Sequence, residues 1–160
     1  MDHVDAILAQ WRRERPDLDV GPMGLLGRLG RLERHLSREI EHTLAAFGLN
    51  RSSFDILATL RRAGAPHRLS PGDLLASAMV TSGTMTNRID RLEAEGLVER
   101  RPDPDDGRGV LVALTQAGLE RIDAAVGAHV ATQHRLVEGL GDDAVRDLDR
   151  LLARFLARFE

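Results

Sequence analysis

The stretch "TSGTMTNRIDRLEAEGLVERRPDPDDGRGVLVALT", Thr81–Thr115, changes periodicity halfway along, and that change decides the fold. At 100° per residue, Met85, Ile89 and Leu92 fall in one narrow arc, so the first half predicts a helix with that arc toward a core. Thr81 or Ser82 caps its start and Gly96 ends it. The second half has no helical period. "LVERR" and "VLVALT" are short, β-branched-rich segments around a Pro/Asp/Gly run, which predicts a β-hairpin.

Upstream, "HRLSPGDLLASAM" predicts a short helix. Ser70 is its N-cap, Pro71 its first residue, and Asp73 opposes the positive end of the helix dipole. Asn50 caps another helix, with Phe54, Ile56, Leu57 and Leu60 on its apolar face and Gly64 at its end. Residues 50–114 therefore read as helix, short helix, helix, hairpin, the order of a winged helix-turn-helix DNA-binding domain.

On either side lie helices. Residues 2–15 space Val4, Ile7, Leu8 and Trp11 helically, and "RPDLDVGP" breaks that pattern. A long helix follows from about Met23 to Phe47, striped by Leu25, Leu29, Leu32, Leu36, Ile40 and Leu44 and stopped by Gly48. Thr115 caps a helix to about Glu138. A last one starts at Asp142 or Asp143 and carries Val145, Leu148, Leu152, Phe155 and Phe159. The fold class is mainly α, and three segments are expected: 1–49 with the added and long helices, 50–114 as the winged domain, and 115–160 as C-terminal dimerisation helices. One small middle domain cannot cover all these stripes, so two copies are expected to pack them together as a homodimer.

Composition narrows the partners. The chain has 160 residues and no cysteine, which excludes disulfides and thiolate metal sites. No apolar run is long enough for a signal peptide or a membrane span, so a cytoplasmic protein with no membrane partner is expected. The net charge of −3 argues weakly against nucleic acid. Yet all 22 basic residues are Arg, which suits planar, bidentate contacts. The histidines at 3, 35, 42, 67, 129 and 134 form no helical metal pair, and no nucleophile elbow, P-loop or dinucleotide fingerprint occurs. No catalytic residue, metal or cofactor is therefore expected.

The DNA reading rests on where individual side chains point. Gly83, Thr86, Asn87 and Asp90 lie opposite the core-facing arc, with Thr84 and Arg91 on one flank. This face is small and hydrogen-bonding, as major-groove insertion requires, although an ordinary amphipathic helix fits the pattern equally well. Candidate contacts are Ser70, Thr81, Ser82, Thr84, Thr86, Asn87 and Arg91. Asp90 sits away from the groove floor or holds Arg91. In the hairpin, Pro102, Asp103 and Pro104 shape the tip, and Arg108 between Gly107 and Gly109 suits a minor-groove contact aimed by Asp106. Of Arg100 and Arg101, Arg101 is assigned to the phosphate backbone of the DNA. A winged module for protein contacts is the competing reading, and the Ser/Thr/Asn face and Arg108 weigh against it.

These motifs carry a resemblance. "GLVERRPDPDDGRGVLVALTQAGLERI" resembles the wing signature of the MarR family, and "LSPGDLLASAMVTSGTMTNRIDRLEAEGLV" looks like its helix-turn-helix. The likeness spans about residues 22–160. It implies a dimeric transcription factor on a palindromic operator, a repressor released by a small anionic or phenolic effector. "AILAQWRRERPDLDVGPMGLLGRLGRL" is similar to a urate-responsive branch with an added N-terminal helix. That likeness implies a ligand site of Trp11, Asp55, Arg88 and Arg100. Related proteins of similar layout answer to tricarboxylates. Each residue also has a plainer reading: Trp11 as core, Asp55 paired with Arg62 or Thr59, and Arg88 on a phosphate.

Overall fold

The computed structural model describes residues 1–78, 85–106 and 109–160. Its elements are α1 (His3–Glu14), α2 (Gly21–Ala45), α3 (Arg51–Arg62), β1 (Arg68–Leu69), α4 (Pro71–Ser77), α5 (Met85–Ala94), β2 (Val98–Pro102), β3 (Val110–Leu114), α6 (Gln116–Val137) and α7 (Asp142–Leu156). A 3₁₀ turn, Glu138–Leu140, joins the last two. The chain divides into two compact units, Met1–Glu39 and Ile40–Glu160.

In the first unit α1 opens on a capping box. The Asp2 carboxylate accepts from the Val4 and Asp5 backbone N–H groups at 2.8 and 2.9 Å, while the Asp2 N–H donates to Asp5 at 2.8 Å. Val4, Leu8 and Val20 form a small cluster. The start of α2 approaches α1 through glycine: a Cβ on Gly24 would lie 3.0 Å from a Leu8 methyl. Arg28 fastens the pair, donating to Asp2 at 2.8 Å and also to Asp5. Ile7 and Trp11, expected on the apolar stripe of α1, remain 38% and 41% exposed.

The second unit has one core. Leu44, Ile56, Leu57, Leu60, Leu74, Leu92, Leu97, Val112 and Ile122 are all 2% exposed or less. Two left-handed glycines shape it. At Gly48 (φ 69°) the Leu49 N–H bonds back to the Leu44 carbonyl at 3.1 Å, and at Gly96 (φ 70°) the Leu97 N–H bonds to the Leu92 carbonyl at 2.9 Å. Both are Schellman closures, with buried leucines on each side of the turn. Asn50, Ser70 and Thr115 cap α3, α4 and α6 as their positions predict.

The sheet differs from expectation. Besides the β2–β3 hairpin, paired from Val98↔Leu114 to Pro102↔Val110, it has a third antiparallel strand. The two-residue β1 pairs Arg68 with Ala113 and Leu69 with Val112, giving the order β1-β3-β2. The α6 helix then starts hard against the α5–β2 turn. Thr115 donates its N–H to the Leu97 carbonyl at 3.1 Å and its hydroxyl to the Gly96 carbonyl at 2.7 Å. No residue of α7 is buried; Leu148 and Leu152 are about two-fifths exposed and Phe159 is 75% exposed.

Candidate nucleic-acid interface

Helix α5 presents the predicted faces. Met85, Ile89 and Leu92 are buried, while Thr86, Asn87, Asp90 and Arg91 are exposed and Arg88 is half-buried at the edge. The helix before it is held in place from α3, where Arg62 donates to the Ser77 carbonyl at 2.7 Å. Thr59 does contact Asp55, but through its backbone: the Thr59 hydroxyl donates to the Asp55 carbonyl at 2.7 Å. Asp55 itself is half-buried on α3.

Ser70 has a defined local duty. Its hydroxyl oxygen accepts from the Asp73 N–H at 3.1 Å and its proton goes to the Asp73 carboxylate at 2.7 Å. A hydroxyl has one proton to donate, so a phosphate contact would have to displace Asp73. Thr81, Ser82 and Thr84, and Arg108 in the wing, lie outside the described residues.

The wing is closed by its acidic tip. The Asp103 N–H donates to the Gly109 carbonyl at 3.0 Å, and the Gly109 N–H to the Asp106 carbonyl at 2.8 Å. The Asp105 N–H donates to the Asp103 carboxylate at 3.0 Å. A Cβ on Gly109 would stand 2.9 Å from that of Asp103. Gly109 is thus required by the packing of the wing itself, beyond any approach to DNA. Arg101 is exposed and paired with its neighbour Glu99.

Arg100 and Asp90 form a connection that sequence reasoning missed. Asp90 accepts from the Arg100 guanidinium, not from Arg91 as one reading had it. The same guanidinium also reaches Glu93, and the Arg100 backbone N–H donates to Glu93 at 3.0 Å. An anionic ligand at Arg100 would have to compete with two carboxylates. Trp11 belongs to the first unit, and Asp55, Arg88 and Arg100 to the second.

A cleft of about 670 Å³ opens between the start of α3 and α5. Arg51, Ser52, Asn87, Arg88 and Arg91 line it together with Glu41 and Glu95. Three guanidiniums against the two carboxylates of Glu41 and Glu95 leave the wall with a net positive charge, suited to a phosphate or a carboxylate ligand. Among the described residues there is no group of His, Asp or Glu side chains able to hold a metal, and no helix long and apolar enough to cross a membrane.

Residues 47–109 match the sequence model of the MarR family. The HTH-type transcriptional regulator PecS of Dickeya dadantii is 38% identical over 151 residues, covering 94% of this chain and 91% of its own. The chain belongs to the MarR family. A MarR variant from Escherichia coli, solved in complex with operator DNA, superimposes with a TM-score of 0.71 at 26% identity, over 91% of this chain and 97% of that one. BpsR of Bordetella bronchiseptica, whose DNA binding is regulated by 6-hydroxynicotinic acid, gives a TM-score of 0.71 at 25% identity, over 81% and 90%. As a member of the MarR family the protein is a DNA-binding transcriptional regulator with a winged helix-turn-helix.

Proposed function

We propose that the protein acts as a homodimeric repressor that holds a palindromic operator and releases it when a small anionic effector binds. The observation that carries the DNA half is α5, whose Thr86, Asn87 and Arg91 stand clear of the core while Met85, Ile89 and Leu92 anchor the opposite side. Thr86 and Asn87 would meet base edges, Arg91 and Arg101 the phosphates, and Arg108, aimed by Asp106, the minor groove. Thr81, Ser82 and Thr84 would add phosphate contacts ahead of α5. Segments 1–49 and 115–160 would supply the dimerisation helices around the winged domain at 50–114. The exposed leucines of α2 and α7 support pairing of two copies, which would set two recognition helices about one DNA turn apart.

The arginine-lined cleft supports an anionic effector, with Arg88 as its first contact and Arg51 beside it. Regulation of BpsR by an aromatic acid points the same way. Such a ligand acts by binding the DNA-incompetent form better than the competent one, so its differential affinity sets the limit of release. Urate is the first candidate, and tricarboxylates and phenolic acids are the alternatives. Trp11 is the one tryptophan of the chain, so its fluorescence reports whether the added helix takes part.

The test is a gel shift on the DNA flanking the protein's own gene, titrated with urate, citrate and a neutral phenol. A specific shift reversed by the anions supports the reading. Absence of any specific shift at low salt overturns it, and release by the neutral phenol alone overturns the anionic effector.

A further inference from the structure

The wing leaves α5 through a rigid root. Gly96 and Leu97 are bonded to Thr115, and β3 is paired with β1 on its far side. On β3 the core and the β1 pairing reach as far as Val112, opposite Arg100, while on β2 Glu99 is half-buried and Arg100 to Pro102 are exposed, so the hairpin projects beyond that pair. A hairpin projecting from a core is free to swing unless something ties it down. One group on β2 does so: the Arg100 guanidinium joins Asp90 and Glu93, one turn apart on α5, and its backbone N–H adds a third bond to Glu93 at 3.0 Å. Residues three apart lie on the same helix face, so the two carboxylates form a fork that meets the planar guanidinium from two sides.

We propose that Arg100 is a positioning residue for operator recognition: through Asp90 and Glu93 it sets the angle between the wing and α5, so that both reach their grooves together. The proposal rests on the DNA-binding reading above and adds a residue that need not touch DNA. It also explains an awkward charge. Asp90 is 57% exposed on the recognition helix, where a bare carboxylate would be repelled by phosphate. Arg100 neutralises it.

Geometry and charge make opposite predictions for one variant. Asp90→Asn/Glu93→Gln removes two negative charges from the DNA-facing helix and cuts the tie. If only charge matters, it binds DNA more tightly. If Arg100 positions the wing, specific binding weakens roughly tenfold, the cost of a lost groove contact.

The experiment uses the DNA flanking the protein's own gene and two probes of the wild type, the double variant and Arg100→Ala. Dimethyl sulfate reports major-groove cover by α5, and hydroxyl radicals report minor-groove cover by the wing. Both variants are expected to melt like the wild type, to keep major-groove protection and to lose minor-groove protection. Unchanged minor-groove protection with equal or tighter binding overturns the positioning role. So does parallel loss of both protections, which would mark Arg100 as a general support of the fold. If the wild type itself gives no footprint, the DNA-binding reading fails instead.

Discussion

Gly118 and Leu97 touch where no side chain fits: an ideal Cβ on Gly118 would lie 1.9 Å from the Leu97 carbonyl oxygen. The first turn of α6 is therefore pressed onto the turn that joins the recognition helix to the wing. Gly118→Ala must push these backbones apart, breaking the Thr115 bonds to Gly96 and Leu97. We expect a loss of about 3 kcal/mol, at the upper end of overpacking costs. In a chain of this length that lowers the melting temperature by about 6–12 °C. Urea unfolding checks it, and an unshifted midpoint refutes the contact.

Asn50 caps α3 with its side-chain oxygen, accepting from the Ser52 and Ser53 N–H groups at 3.0 and 2.9 Å. Asn50→Ala leaves those donors without the cap and should cost about 1 kcal/mol, whereas Asn50→Gly should cost only a few tenths. Thermal melts of the two variants, compared side by side, separate capping from a general effect of substitution.

Arg91 is exposed on the flank of α5 and, as proposed, meets a phosphate. Arg91→Ala should weaken binding about equally on operator and unrelated DNA and lower the salt slope by about 1. Asn87→Ala should instead relax sequence preference, through loss of a base-edge contact worth about 1–3 kcal/mol. Binding isotherms across a salt series decide both, and identical behaviour of the two variants would contradict the assignment.

His129 on α6 lies against Phe54 of α3, ring centroids 4.8 Å apart. Burial first, and then the nearby Arg51 charge, holds its imidazole below the ordinary value of 6.5. The unfolded chain therefore binds a proton that the folded chain resists. Above about pH 6.5 the group contributes no pH dependence; as pH falls below it, stability is lost until His129 protonates in the folded state too. His129→Gln should lose less stability than the wild type on acidification. Urea midpoints at about pH 7.5 and 5.5 measure the difference, and equal losses would rule His129 out.

Much of the fold was written in local signals. Asn50, Ser70, Thr115, Gly48 and Gly96 act within a few residues of themselves, so their caps and stops could be read without knowing what packs where. The alternation of Met85, Ile89 and Leu92 with Thr86, Asn87 and Asp90 likewise encodes which side of α5 is buried. What stayed hidden depends on distant partners. Arg68 and Leu69 are a strand only because Ala113 and Val112 lie beside them. The partner of Asp90 is ten residues away across a turn, and Arg91 at i+1 does not serve because consecutive helical residues do not face each other. Gly118 looks like any helical glycine until the Leu97 carbonyl is placed above it. Ser70 has two expected duties, capping and DNA contact; its oxygen makes the cap, but its single proton is already taken by the Asp73 carboxylate.

The pairing of β1 with the base of β3 makes the wing a lever with a clamped end. Beyond Val112, the outer residue of that clamp, the ladder runs two more residues to Val110, about 7 Å at about 3.4 Å each, before the turn. Each degree of rotation there thus moves the end of the ladder by about 0.12 Å, and about eight degrees move it by about 1 Å, enough to take a donor from about 2.9 Å to beyond hydrogen-bonding range. On the function proposed above, an effector would have no need to refold anything: a shift at the root too small to disturb the core would be amplified by length alone into loss of the groove contact.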